Sequence, residues 1–432
     1  MATRRSVRFI RQQPAAGLVA PRGIFRRRAD GIFSAASLAN AKVPAANSSV
    51  RMNSIELIIV LLLLFMAVPD LCRVARRPAL IYPAFVVFGL ALGPAVSGDV
   101  SAMIQQAGQI GFLLLLFEVG LEIDLPAPRE LVRPVSYVVR WVLLQYPVVL
   151  ALARFAGLPW LESFVAAAAI TGCSVGMAHS AWKSYPGLDA TSRLFIVRVM
   201  VLLEVLAIVL LAVETTGLGY NAKWWMIVLK LVGVAAAVFL CSRIAVPFTR
   251  LIQEGLGRTT HWRIHFVTLV VLVVCAIGER LGLSAAKMAF FLGLFMSRVQ
   301  HDGKGLEEYL APISQRFLIP IFFVSLGMAI PLSYLWSRTA LLALVAAALL
   351  LLFREMLHRR WLQTGGDAQA YLLFAPNLTM VALAGSALLN AGLDAQIAAW
   401  VVLTGLFMTV IAIVALPPPQ LDAPPAPTHP AP

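Results

Sequence analysis

Charge is scarce in this sequence. Asp, Glu, Lys and Arg make up 13% of its 432 residues, and only 21 are acids. Soluble domains carry about 25% charged residues, so a water-soluble chain and a disordered chain are both excluded. Cysteine is scarcer still. Cys72, Cys173, Cys241 and Cys275 stand singly with no CxxC pair, which argues against a disulfide framework and a thiolate metal site. No Gly-rich phosphate loop and no Ser-His-Asp set is present, so ATP-driven transport and intramembrane hydrolysis lack support. No enzyme activity and no cofactor is expected. Beyond the first 51 residues no cluster of Lys or Arg interleaves with aromatics, so no nucleic-acid partner is expected either.

What the chain has in excess is apolar residues. They make up 60% of it, with a mean hydropathy of +0.84, the composition of a polytopic membrane protein. A span needs about 20 mostly apolar residues. The sequence predicts thirteen, near 54–70, 78–96, 103–122, 133–154, 160–182, 193–214, 223–243, 264–280, 284–299, 315–332, 338–358, 368–390 and 395–416. Counting Lys and Arg in alternate connections gives 17 on one side and 4 on the other. Cytoplasmic connections carry the excess, so the N-terminus before span one is expected outside and the C-terminus inside. Residues 1–51 hold ten basic residues and one acid, Asp30. They read as a mis-assigned start, with translation beginning at Met52, or as a cleaved targeting segment. The Pro/Ala-rich residues 417–432 are expected to be disordered.

The two halves resemble each other at a nearly constant offset. Residues 203–209 (LEVLAIV) match 408–414 (MTVIAIV), Gly120–Leu125 matches Gly327–Leu332, and Phe88–Leu90 matches Leu292–Leu294. The match relates repeat one (54–214) to repeat two (264–416), with the helix at 223–243 as linker. Seven spans separate partners, an odd number, so the copies have opposite orientation. Inverted repeats are characteristic of secondary transporters, with the site at the midplane between the halves.

Two matching spans carry helix-breaking residues at their middles. Span five has Thr171, Gly172, Ser174 and Gly176; its partner, span twelve, has Pro376, Asn377 and Thr379. Such residues also serve ordinary helix packing in membranes, but their recurrence in both copies points to paired discontinuous helices. The expected fold is therefore an all-α membrane protein of two inverted six-helix repeats with crossed broken helices.

A charge at the bilayer centre costs about 2.5–3.5 kcal/mol on insertion scales, so each intramembrane ionisable residue needs a reason. Glu204 lies near the middle of span six, flanked by Leu202, Leu203, Val205 and Leu206. It reads as an ion- or proton-binding carboxylate; the alternative is a neutral acid held for packing. Arg354, in span eleven, either snorkels to the headgroups or acts as a counter-charge to Glu204. Glu118, in span three, is a secondary candidate.

These residues are accompanied by motifs. Leu114–Glu122 (LLLFEVGLE), Pro320–Met328 (PIFFVSLGM), Gly282–Leu294 and Pro78–Pro94 together resemble, in order, the conserved segments of Kef-type monovalent cation:proton antiporters. The resemblance implies a homodimer in which a core of spans four, five, six, eleven, twelve and thirteen moves against a scaffold. It places the family's ion-binding aspartate on Glu204, preceded here by Leu203, and the basic residue of the core on Arg354. Glu replaces Asp, and Thr379 stands where many relatives carry a glutamate. The nucleotide-binding domain of the potassium-efflux members has no counterpart in this sequence. The function expected is electroneutral exchange of protons for Na⁺ or K⁺, with Thr171, Ser174, Asn377 and Thr379 as neutral oxygen ligands around Glu204. A non-transporting sensor on the same scaffold and a sodium-coupled solute symporter are the alternatives.

Overall fold

The computed structural model describes residues 52–122, 132–183, 185–186, 188–214, 262–280, 285–297, 300–301, 304–362 and 369–417. The basic segment 1–51, the linker helix expected at 223–243 and most of the tail after Leu416 lie outside them. Ten helical stretches among the described residues are long and apolar enough to cross a membrane. They coincide with the expected spans one to six and ten to thirteen. Spans eight and nine are also helical, over 18 and 12 residues. The chain is a multi-pass membrane protein, and its described residues are helical apart from a hairpin of two two-residue strands, Gln300–His301 and Lys304–Gly305.

The helices are α1 (Ser54–Val74), α2 (Ile81–Leu92), α3 (Gly98–Glu122), α4 (Val132–Phe155), α5 (Trp160–Thr171), α6 (Val175–Lys183) and α7 (Ala190–Glu214) in the first half. The second half has α8 (Arg263–Arg280), α9 (Ala285–Met296), α10 (Leu306–Ile313), α11 (Ile319–Met328), α12 (Arg338–Leu357), α13 (Leu378–Asn390) and α14 (Ala395–Ala415). Local chemistry sets their ends. Asn53 and Glu56 form a capping box at the start of α1, satisfying amides that the helix itself cannot. Ser337 and Asp394 accept amide hydrogens at the starts of α12 and α14. At the end of α1 the chain turns through Arg76 at φ 55, and Pro78 follows where a helix could not continue.

The tenth span begins earlier than expected, at Leu306 rather than 315. Glu307 and Glu308 occupy the first turn of α10, where acids suit the positive end of a helix. Between α10 and α11 the chain forms a π-helical segment, Ser314–Leu318, just after Pro312, whose missing N–H removes one rung of the α-helical ladder.

Packing divides the helices into two groups. In one, α2 and α3 lie against α11, α3 lies against α9, and α9 lies against α8. In the other, α4, α5, α7, α12, α13 and α14 pack on one another. Close backbone approach dominates the first group. A methyl added at Gly89 would meet the Val324 carbonyl, with Gly327 Cα 3.0 Å away. One added at Gly120 would meet the Phe290 carbonyl, with Gly293 Cα 2.9 Å away. These pairs join the matching segments of the two halves crosswise: 89 with 327, and 120 with 293.

Burial differs sharply between spans. On α1 only 22% of the span is buried, and Ile55, Ile59, Leu63 and Met66 face outward, as a lipid-facing helix requires. The two spans expected to be broken are 83% and 78% buried. They lie at the centre of the second group.

Candidate functional site

Both expected breaks are present. Span five stops being helical at Gly172–Ser174, between α5 and α6; span twelve does so at Ala375–Asn377, between a 3-10 turn (Ala370–Phe374) and α13. The two irregular stretches hold each other. Ser174 N–H donates to Pro376 O at 2.7 Å, the Ser174 and Thr379 hydroxyls share a hydrogen bond of 2.7 Å, and Cys173 Sγ lies 3.5 Å from Leu373 O. Gly172 is required here. A Cβ at this position would come within 2.6 Å of Ala207 Cβ on α7, one turn beyond Glu204. The missing side chain lets the break lie directly against the helix that carries the acid.

Glu204 is fully buried. Its Oε2 accepts from Val175 N–H at 3.1 Å, the first amide of α6. A carboxylate at a helix N-terminus meets unsatisfied amides and the positive end of the helix dipole. α6 therefore presents its positive end to Glu204, next to the Ser174–Thr379 hydroxyls.

Arg354 is fully buried as well, so it does not snorkel. Nor are its partners the carboxylate expected of a counter-charge. They are three neutral oxygens on three elements: Nε donates to Gln145 Oε1 at 2.7 Å, Nη1 to Phe374 O at 3.1 Å and Nη2 to Ile170 O at 2.8 Å. Ile170 O lies at the end of α5 and Phe374 O at the end of the 3-10 turn. One guanidinium thus caps the C-terminal, negative ends of both interrupted helices, which a planar fork of donors is suited to do. The ring of Trp141 lies 5.9 Å from the guanidinium carbon.

Of the neutral ligands expected, Ser174, Asn377 and Thr379 converge at the crossing. Asn377 Nδ2 donates to Ile170 O at 3.0 Å, and its amide N–H donates to Thr409 Oγ1 at 3.2 Å. Thr171 is buried beside them, but its hydroxyl bonds back to Ala167 O at 2.7 Å within its own helix. Glu118 belongs elsewhere. It sits in the first packing group, with Ser314 and Gln315 donating to its carboxyl oxygens.

Two participants were missed from sequence. Gln145 is a fully buried amide in an apolar stretch of α4, and that contrast was its signal. Thr409 occupies the position matching Glu204 at the offset of the LEVLAIV and MTVIAIV segments. It does for α13 what Glu204 does for α6, accepting the amide at the start of the second half-helix.

Comparison with known proteins agrees with this fold. The family model described as sodium/hydrogen exchanger, transmembrane, matches residues 58–420. The high-affinity Na(+)/H(+) antiporter NhaS3 of Synechocystis is 27% identical over 245 residues, 54% of this chain and 52% of that one. The chain thus spans about half the length of that relative. The Na(+)/H(+)-K(+) antiporter GerN of Bacillus cereus is 23% identical over 346 residues, covering 78% of this chain and 87% of its own. The structure of the sodium proton antiporter MjNhaP1 from Methanocaldococcus jannaschii shares the fold, with a TM-score of 0.60 at 16% identity, over 84% of this chain and 95% of that one. The chain belongs to the sodium/hydrogen exchanger family.

Proposed function

We propose that the protein exchanges protons for a monovalent cation, Na⁺ or K⁺, at Glu204. The observation that carries this reading is the fully buried Glu204 carboxylate, set at the positive end of α6 beside the Ser174–Thr379 hydroxyl pair. Proton and cation compete for it. A proton neutralises the carboxylate directly; a cation is held by the carboxylate together with oxygens of Ser174, Thr379 and Asn377, the hard neutral donors that suit alkali ions. Arg354 does not compete for the acid, because its donors are engaged at the two negative helix ends. It holds the crossing in shape while the occupant of Glu204 changes.

The two halves form an inverted repeat in this reading. The crosswise glycine pairs support it, as do the Ser174–Thr379 contact and the matching roles of Glu204 and Thr409. The group of α4 to α7 with α12 to α14 is the moving core, and the group of α2, α3, α8, α9 and α11 is the scaffold of a homodimer. The N-terminal side of α1 faces outward and the end of α14 faces the cytoplasm, in the cell membrane. Among sodium/hydrogen exchangers, the order of its motifs supports a Kef-type antiporter. One carboxylate carries one unit charge in either direction, so exchange is electroneutral. The test is proton movement in everted vesicles on addition of Na⁺, K⁺ or Li⁺. Cation-dependent proton flux is expected, and its absence with every alkali cation overturns the proposal.

A further inference from the structure

Glu118 lies outside the exchange site, yet its surroundings are built. It is buried, and it faces the π-helical segment rather than another α-helical turn. Ser314 Oγ is hydrogen bonded to Glu118 Oε1 and also lies 2.9 Å from Leu310 O. Gln315 Nε2 donates to Glu118 Oε2 at 3.2 Å. A hydroxyl has one hydrogen, so Ser314 cannot donate to the carboxyl and to Leu310 O at once. Two arrangements satisfy every atom. With Glu118 ionised, Ser314 donates to Oε1, and Leu310 O keeps the Ser314 amide N–H. With Glu118 protonated, the acid donates to Ser314 Oγ and the hydroxyl turns to Leu310 O. Gln315 serves Oε2 in both. Rotation of a single O–H bond converts a good site for the carboxylate into a good site for the acid.

We propose that Glu118, Ser314 and Gln315 form a second proton-binding site, fixed on the scaffold, that sets the pH dependence of transport without carrying charge across the membrane. It rests on the exchange reading for what it regulates, not for its proton chemistry. Three observations place it apart from the transported ions: Glu118 is on α3, α3 packs with α9 and α11, and its partners stand on the segment joining α10 to α11. That segment can pass the change on. π-Helical turns recur at functional sites because their hydrogen-bond ladder is easily rearranged. The helix that follows, α11, touches α2 and α3 on one side and α13, whose start lies at the crossing, on the other.

Charged neighbours on the packed elements are few. Glu307 of α10 interacts electrostatically with Glu118. Glu308, Arg316, His179 of α6, and His265, Glu279 and Arg280 of α8 are exposed. α11 carries no charged residue, and the side chains of Arg263 on α8, Lys287 on α9 and Lys183 on α6 lie outside the described ones.

The test has two arms on the full-length protein. In a Glu204→Gln background, which silences the exchange site, infrared difference spectra between acid and alkaline buffer should show a carboxyl C=O band that Glu118→Gln removes. No such band overturns the proposal, whether or not wild type transports. In vesicles, Ser314→Ala should move the midpoint of the pH–rate profile toward alkaline pH by roughly fivefold in proton concentration, because the hydrogen bond lost to the carboxylate is stronger than the one lost to the neutral acid. Ser314→Thr, which keeps the hydroxyl, should restore it. Unaltered profiles in both Ser314→Ala and Glu118→Gln overturn the proposal. So does a Glu118→Gln protein whose charge moved per cycle differs from wild type, because the proton at Glu118 would then be cargo.

Discussion

Replacing Arg354 with lysine separates charge from geometry at the crossing. Both side chains are cationic, so the change leaves the buried charge in place. What differs is the donor set. Arg354 reaches Gln145 Oε1, Phe374 O and Ile170 O at 2.7, 3.1 and 2.8 Å from a rigid fork. A lysine ammonium is a compact point charge and cannot span oxygens fixed on three elements. Ile170 O loses least, because Asn377 Nδ2 also donates to it. Either Phe374 O or Gln145 Oε1 is left without a donor. A buried acceptor stripped of its partner costs about 1–3 kcal/mol, so Arg354→Lys should destabilise the protein by about that much. Denaturant unfolding of the purified protein in one detergent reads the difference, with Arg359→Lys as control. Arg359 pairs with Glu355 at the surface, where ion pairs contribute little, so the control should stay near wild type. An Arg354→Lys protein as stable as wild type would refute the capping argument and leave charge alone as the reason for the arginine.

Three further outcomes follow from the same geometry. Gly120→Ala places a methyl against the Phe290 carbonyl and should destabilise by about 1–3 kcal/mol, as overpacking does; unchanged detergent stability would mean that α3 and α9 are not rigidly docked. Thr409→Val removes the oxygen that accepts the Asn377 amide. It should weaken apparent cation affinity in the vesicle assay by about fivefold, the equivalent of one hydrogen bond, while Thr409→Ser retains wild-type affinity. Electroneutral exchange predicts that an imposed membrane potential, at constant pH gradient, leaves the rate unchanged; marked acceleration would require a second transported charge.

Much of this was legible in the sequence because membrane insertion leaves few options. Twelve of the expected spans match helices within a few residues, except at the start of the tenth. Backbone groups in lipid must be satisfied internally, so apolar length alone places a helix. The breaks at Gly172–Ser174 and Ala375–Asn377 were legible because Gly, Pro and Asn stood at matching places in both halves. The role of Arg354 was not. A lone arginine near a span end carries no record of which carbonyls it meets, and Ile170, Phe374 and Gln145 lie 184, 20 and 209 residues away. Thr409 was hidden for another reason: the match of LEVLAIV with MTVIAIV set it opposite Glu204, but a hydroxyl is chemically ordinary in a membrane helix.

The central claim is that Glu204 alternates between a proton and a cation. It is tested most directly by cation-driven proton flux in vesicles containing Glu204→Gln, beside wild type and Glu204→Asp. Glutamine keeps the shape and still accepts the Val175 amide hydrogen, but it cannot change charge. The account predicts a folded Glu204→Gln protein with no flux, and partial flux for Glu204→Asp, whose carboxylate survives on a shorter arm. Wild-type flux in a well-folded Glu204→Gln protein would contradict it, because an amide can replace a carboxyl group only where that group serves packing alone.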